Sequence, residues 1–174
     1  MMNHVMVDCE TLSTEPYARI LSIGACMFDH MNNTLGPTFY AVTQAHTQPE
    51  RHVSQDTVKW WDQQPEPVRR EVFGNPNAVD LTDGLLEFRK WVLANNGMYV
   101  WSYGATADIV WLKTAFADRG LAWPFHYRDE RCFRTLSWLT KAAEPIRLGA
   151  QHHALDDAMH QARWALRALR SLPE

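Results

Sequence analysis

The chain opens with "HVMVDCE", a short apolar, partly β-branched run that ends on a carboxylate, as a buried strand does. "ARILSIGACMFD" repeats the pattern, and the Asn-rich "HMNNT" turns the chain into a third run, "GPTFYAVT". Three such runs joined by short turns predict an antiparallel meander. The period then changes. "SQDTVKWWDQQ" has a helical spacing with Ser54 as its N-cap, and Pro65 suits the first turn of a second short helix, "PEPVRREVF". "AVDLTDGLLEFRKWVLANN" reads as a longer helix that stops before Gly97. "MYVWSY" is a fourth strand, and "ADIVWLKTAFADRG" a helix stopped by Gly120. "FHYRD" is expected as a short fifth strand and "RCFRTLSWLTKAA" as a helix. In the last helix Leu155, Met159, Ala162, Leu166 and Leu169 recur at three and four, which predicts its core face. Strands first, then helices alternating with strands, predict one α/β domain over residues 1–174, its mixed sheet antiparallel first and parallel later.

Composition adds limits. The 174 residues are 46% hydrophobic and 21% charged, ordinary for a folded domain with one core. The net charge of −3 does not suit a protein that grips long nucleic acid through many phosphates. A short strand end held in a local site, with cations offsetting the phosphates, remains open. Cys9, Cys26 and Cys132 are odd in number and far apart, so neither a disulfide framework nor a cysteine zinc site is expected. No apolar run reaches the ~20 residues of a membrane span, and no secretory leader pattern is visible. A cytoplasmic protein with no membrane partner is the expectation.

The candidate chemistry lies in three short stretches. In "VDCET", Asp8 and Glu10 are two apart on a strand, so both leave one face and repel unless a cation lies between them. In "WSYGATADIVWL", Asp108 starts a helix after a small-residue loop. In "QHHALDDAMHQ", two histidines precede two aspartates around the start of the last helix. Each alone has an ordinary explanation: a solvated strand end, an acid at a helix dipole, or Asp156 paired with His160 or Arg163 along one flank. Together, four carboxylates from three segments suit hard Mg²⁺ or Mn²⁺ rather than zinc or copper. Four acids can hold two such ions ~3.5–4 Å apart, an arrangement that clamps both oxygens of a phosphoryl displacement, with a nearby His as base. Measured from Leu155, Asp156 lies ~100° round the helix and Asp157 ~200° round, so periodicity alone leaves the ligand open.

These stretches resemble the DEDD 3′–5′ exonucleases of the DnaQ-like type, in the branch with an H-x-A-x-x-D third motif. "DCET" matches the first motif, "HHALDDA" the third, and Asp108 stands where the second is expected. "DCETLSTEPYARILSIGACMFD", "TVKWW" and "FRTL" are similar to a subgroup that holds a polyadenylate-preferring exoribonuclease and a phage exonuclease acting on DNA. The resemblance implies a ribonuclease H-like fold, a homodimer, and 3′–5′ hydrolysis of single-stranded RNA or DNA to nucleoside 5′-monophosphates, RNA slightly favoured. It implies Asp8, Glu10, Asp108 and Asp157 as ligands of two divalent cations, Asp8 bridging both. His152 is then the general base, and His153 and Asp156 are local helix-start residues. Gly104 to Ala107 lack the bulky residue many relatives carry before the second acid. Candidate substrate contacts are Thr11, Leu12, Trp61 and Arg134. Trp60 and Trp61 point ~100° apart on a helix, so one packs in the core and the other is left for a base or a dimer contact. The competing readings are a non-catalytic binding domain of this fold and an RNase H-type endonuclease.

Overall fold

A computed structural model describes residues 2–172. Met1, Pro173 and Glu174 of the expected 1–174 domain lie outside the described residues. The meander forms as β1 (His4–Thr11), β2 (Ile20–Asp29) and β3 (Thr34–Val42). Two short helices follow, α1 (Gln55–Asp62) and α2 (Glu66–Phe73), then the longer α3 (Leu81–Ala94). β4 (Tyr99–Ser102), α4 (Asp108–Asp118), β5 (Glu130–Cys132), α5 (Phe133–Thr140) and α6 (Ala154–Arg170) complete the chain. The sheet order is β3-β2-β1-β4-β5. β1, β2 and β3 pair antiparallel, while β4 runs parallel to β1 and β5 parallel to β4. The mixed α/β sheet is the predicted one.

Alternation along β1 sorts the two faces. Val5, Val7 and Cys9 point into a core with α3 and α4, built on Leu85, Phe88, Leu112 and Phe116. Met6 points the other way, into a core with α5 and α6 that includes Phe28, Phe133 and Ala162. Asp8 and Glu10 continue the Met6 face beyond the point where apolar side chains cover it. A smaller cluster of Leu12, Leu21, Trp61 and Val72 holds α1 and α2 against the end of β1.

Three expectations are corrected. The segment read as a fifth strand is a 3₁₀ turn, Tyr127–Asp129, capped by the His126 side chain accepting from Arg128 N–H. The true β5 is the next three residues, where the chain meets β4 and pairs Val100 with Glu130. Pro65 is the N-cap of α2 rather than a first-turn residue; Pro67 takes that place. The packed face of α6 is only partly the predicted one: Ala162 and Leu166 are buried and Met159 and Leu169 pack at its edge, but the face is completed by buried Ala154, Ala158, Ala165 and Ala168, with Leu155 half-exposed. Small side chains let the helix lie close on the sheet. Gly24, the cross-strand partner of Asp8, completes that approach, since a Cβ there would collide with the Ala154 carbonyl. The start of α6 is thereby seated directly over the end of β1.

Candidate active site

Four carboxylates converge where β1, α4 and α6 meet. Asp8, Glu10, Asp108 and Asp157 line one cavity of about 480 Å³ with His152, Gln161, Arg134 and Arg147. β1 supplies Asp8 and Glu10, α4 Asp108 and α6 Asp157. Asp108 is the first residue of α4, and its Oδ1 accepts from Cys9 N–H at 3.0 Å, which ties the α4 start to β1. Gln161, one turn along α6 from Asp157, donates Nε2 to Asp8 Oδ1 at 2.7 Å. Asp157 Oδ2 accepts from His152 N–H at 2.9 Å, and Arg147 pairs with the other oxygen.

The electrostatics are those of crowded like charges. Burial, then Asp108, Glu10 and Asp157, push the Asp8 carboxyl well above the usual carboxylate range. Burial, then Asp157 and Asp108, raise Glu10 to about 8. Burial raises Asp108 to about 7 against the opposing bond from Cys9. Ligand atoms of Glu10, His152 and Asp157 lie within 4.8 Å of one another, close enough to share one cation. The all-oxygen carboxylate set fits Mg²⁺ or Mn²⁺.

His152 has φ 62°, the left-handed region that non-glycine residues enter at a cost of ~1–3 kcal/mol. Its N–H bond to Asp157 holds that backbone, and the edge of Trp60 packs on its ring, with centroids 4.8 Å apart. His153 and Asp156 do other work. His153 caps α6 by accepting from Asp156 N–H and stacks on Tyr40 at 4.5 Å. Asp156 accepts from Ala150 N–H at 2.8 Å and faces His153, not His160 or Arg163. His160 is buried, with Nε2 2.7 Å from Glu144.

The expected substrate contacts divide. Trp61 is corrected: it is 1% exposed, and its Nε1 donates to the Thr11 carbonyl, so it braces the strand end and cannot stack on a base. The exposed neighbour is Trp60, at 38%. The side of α1 that docks decides this, and two adjacent tryptophans do not reveal it. Leu12 is buried beside Trp61. Thr11 and Trp60, with Glu10, Ser13, Thr57 and Trp111, line a groove of about 540 Å³ that joins the acid cavity at Cys9, Glu10 and Trp111. Arg134 reaches the acid cavity, stacked on Tyr103 and donating to its carbonyl. Arg147 was not visible beforehand: it lies in an irregular segment with no periodicity to place it. Gln161 had a signal, standing four residues after Asp157.

Residues 3–169 match the 3′-5′ exoribonuclease Rv2179c-like domain. The chain belongs to that family. It is a 3′–5′ exonuclease of the DnaQ-like group the motifs resemble. Solved structures share its fold. The nuclease domain of 3′hExo, a DEDDh family member bound to rAMP, aligns with a TM-score of 0.67 at 15% identity, covering 96% of this chain and 91% of that one. The E. coli ExoI–ssDNA complex aligns at 0.68 and 11% identity, covering all of this chain and 42% of that one. Cell-death related nuclease 4 (CRN-4) aligns at 0.58 and 11%, covering 96% and 63%. No curated protein sequence matches the chain. Among the described residues no helix is long and apolar enough to cross a membrane.

Proposed function

We propose that this chain, acting as one domain, removes nucleotides singly from the 3′ end of single-stranded nucleic acid, RNA slightly before DNA, and releases nucleoside 5′-monophosphates. The observation that supports this reading is the meeting of four carboxylates beside His152 in a cavity that adjoins a groove lined by Trp60 and Trp111. Asp8, Glu10, Asp108 and Asp157 would hold two divalent cations, Mg²⁺ or Mn²⁺. When bound, these would offset the phosphodiester charge and stabilise the attacking and leaving oxygens.

The residues supply the rest. His152 takes the proton from the attacking water, a task imidazole suits near neutral pH. Its pinned backbone and the Trp60 edge keep the ring at one setting. Trp60 and Trp111 wall the groove that receives the terminal nucleoside, and Thr11, Thr14 and Thr57 line it with hydroxyls able to meet a ribose 2′-OH. The exoribonuclease family and the rAMP in the 3′hExo nuclease domain support RNA. Reduced Cys9, Cys26 and Cys132 support a cytoplasmic setting. Exposed Trp138 and Leu139 support the homodimer, which sedimentation would check.

The test uses matched 5′-labelled single-stranded RNA and DNA, including oligo(A), with Mn²⁺. A ladder that shortens from the 3′ end, faster on RNA, is the expected result. Internal cuts, or full cleavage in excess EDTA, would contradict it.

A further inference from the structure

Arg147 stands in the irregular segment between α5 and α6, residues 141–153. On either side of Arg147, the segment is tied to α6 by side-chain contacts. Trp164 Nε1 donates to the Ala142 carbonyl, His160 meets Glu144, and Ala150 N–H donates to Asp156. Between the last two ties, Ile146 and Leu148 flank Arg147 and are 87% and 58% exposed. The residues on either side of Arg147 are therefore unpacked, and the nearest buried residue before it is Pro145. Gly149, in the left-handed region at φ 90°, separates it from the Ala150 tie.

The Arg147 guanidinium reaches Asp157 Oδ1. The other Asp157 oxygen is already occupied by His152 N–H. Arg147 thus covers the free oxygen of a carboxylate whose ligand atom lies within 4.8 Å of those of Glu10 and His152. An arginine cannot leave such a place by losing its proton; it must move. Its side chain is one-third exposed, so it can swing without opening the core. The same cavity receives the phosphodiester, and a guanidinium is shaped to meet phosphate with two bonds.

We propose that Arg147 is an exchangeable cation of the site. It pairs with Asp157, would give up that oxygen to a divalent cation held by the acids, and would turn to the phosphate of a bound strand. The proposal rests on reading this site as a divalent-metal nuclease. It makes Arg147 antagonistic to metal binding and favourable to substrate binding. A purely structural ion pair would produce neither effect.

Calorimetric titration of Mn²⁺ into wild type, Arg147→Ala and Arg134→Ala tests it, with unfolding temperatures measured without metal. Arg134 is the control: it lies on the same rim and carries the same charge but bonds the Tyr103 carbonyl rather than an acid. Arg147→Ala is expected to bind Mn²⁺ about tenfold tighter, the loss of one charge-assisted bond to a competitor. It should also unfold about 2–4 °C lower without metal. Its KM for a short oligonucleotide should rise severalfold while kcat stays within about threefold. Arg134→Ala should change Mn²⁺ affinity by less than about threefold. Equal Mn²⁺ affinity in wild type and Arg147→Ala overturns the proposal, as does equal tightening in both variants, which would mean charge acting at a distance. If Arg147→Ala fails to fold, Arg147→Gln carries the same comparison. Wild type that cleaves with Mn²⁺ while the variant's affinity is unchanged sinks the Arg147 proposal alone. Wild type that neither binds Mn²⁺ nor cleaves sinks the nuclease reading beneath it.

Discussion

β1 carries a buried ionisable cluster at each end, and the two solve burial differently. At its start His4 is 8% exposed, stacked between Phe28 and Tyr99. Its Nδ1 accepts from Trp101 Nε1 at 3.0 Å, so its proton sits on Nε2, which meets His30 Nδ1 at 3.1 Å. Burial, then the nearby His30, lowers its pKa to about 4. His4 is neutral, doubly bonded and complete. At the far end burial raises Asp8, Glu10 and Asp108, and neighbouring carboxylates add to it for Asp8 and Glu10. Gln161 donates to Asp8 and Cys9 N–H to Asp108. Burial of a titratable group is thus no mark of function; burial that the surrounding residues leave uncompensated is.

The sharpest way to break this contrast is to remove one group from each end. Asp157→Ala or Asp8→Asn should cut 3′-end hydrolysis by about 10³-fold or more, since each would release a ligand. His4→Phe should leave the cleavage rate within about threefold. The next test separates the adjacent histidines. His152→Ala should lose about 10²–10⁴-fold in kcat, the range of a general base. His153→Ala should keep turnover within a few-fold but lose ~1 kcal/mol of stability in urea unfolding, as a lost N-cap does. The reverse result would mean the motif is shifted by one residue.

Trp60 and Trp61 offer a third test. Trp61→Ala should cost ~3–5 kcal/mol of stability, because it empties a packed site. Trp60→Ala should instead raise KM for an oligonucleotide severalfold, with base stacking worth ~1–3 kcal/mol.

The smallest effect lies in pH. His4 has a folded pKa below its unfolded value of 6.5, so its stabilisation is present above 6.5 and is lost as pH falls toward about 4. Glu10 and Asp108 have folded values of about 8 and about 7, above their unfolded 4.5 and 3.8. Their contribution is full below about 4 and is lost as pH rises through 7 to 8. Of His4 and the acids, only the acids change above pH 6.5. Metal-free protein should therefore lose a few degrees of unfolding temperature between pH 6.5 and 8, and Mg²⁺ should remove that slope.

Much of this was legible in the chain itself. β1 and β2 announce themselves through apolar runs, and Asp8 with Glu10 through a two-residue spacing that only a strand turns into one face. The packed face of α6 was partly hidden because alanine carries little hydropathy: the stripe held Ala162 and Leu166 but missed Ala154, Ala158, Ala165 and Ala168. β5 was misplaced because three residues show no period, and its existence depends on β4 lying alongside. The choice between Trp60 and Trp61 depends on how α1 docks, which no local pattern contains. Arg147 reaches the acids only through the path of an irregular segment.

The central claim is that the far end of β1 is a cation-dependent site that shortens single strands from the 3′ end. One measurement tests it most directly: a single-stranded RNA labelled at its 5′ end, incubated with wild type and Asp157→Ala, with Mn²⁺ and with excess EDTA. Wild type with Mn²⁺ alone should give a descending ladder with nucleoside 5′-monophosphate release, and the other three lanes intact RNA. A ladder in EDTA, or one of equal rate from Asp157→Ala, would contradict it.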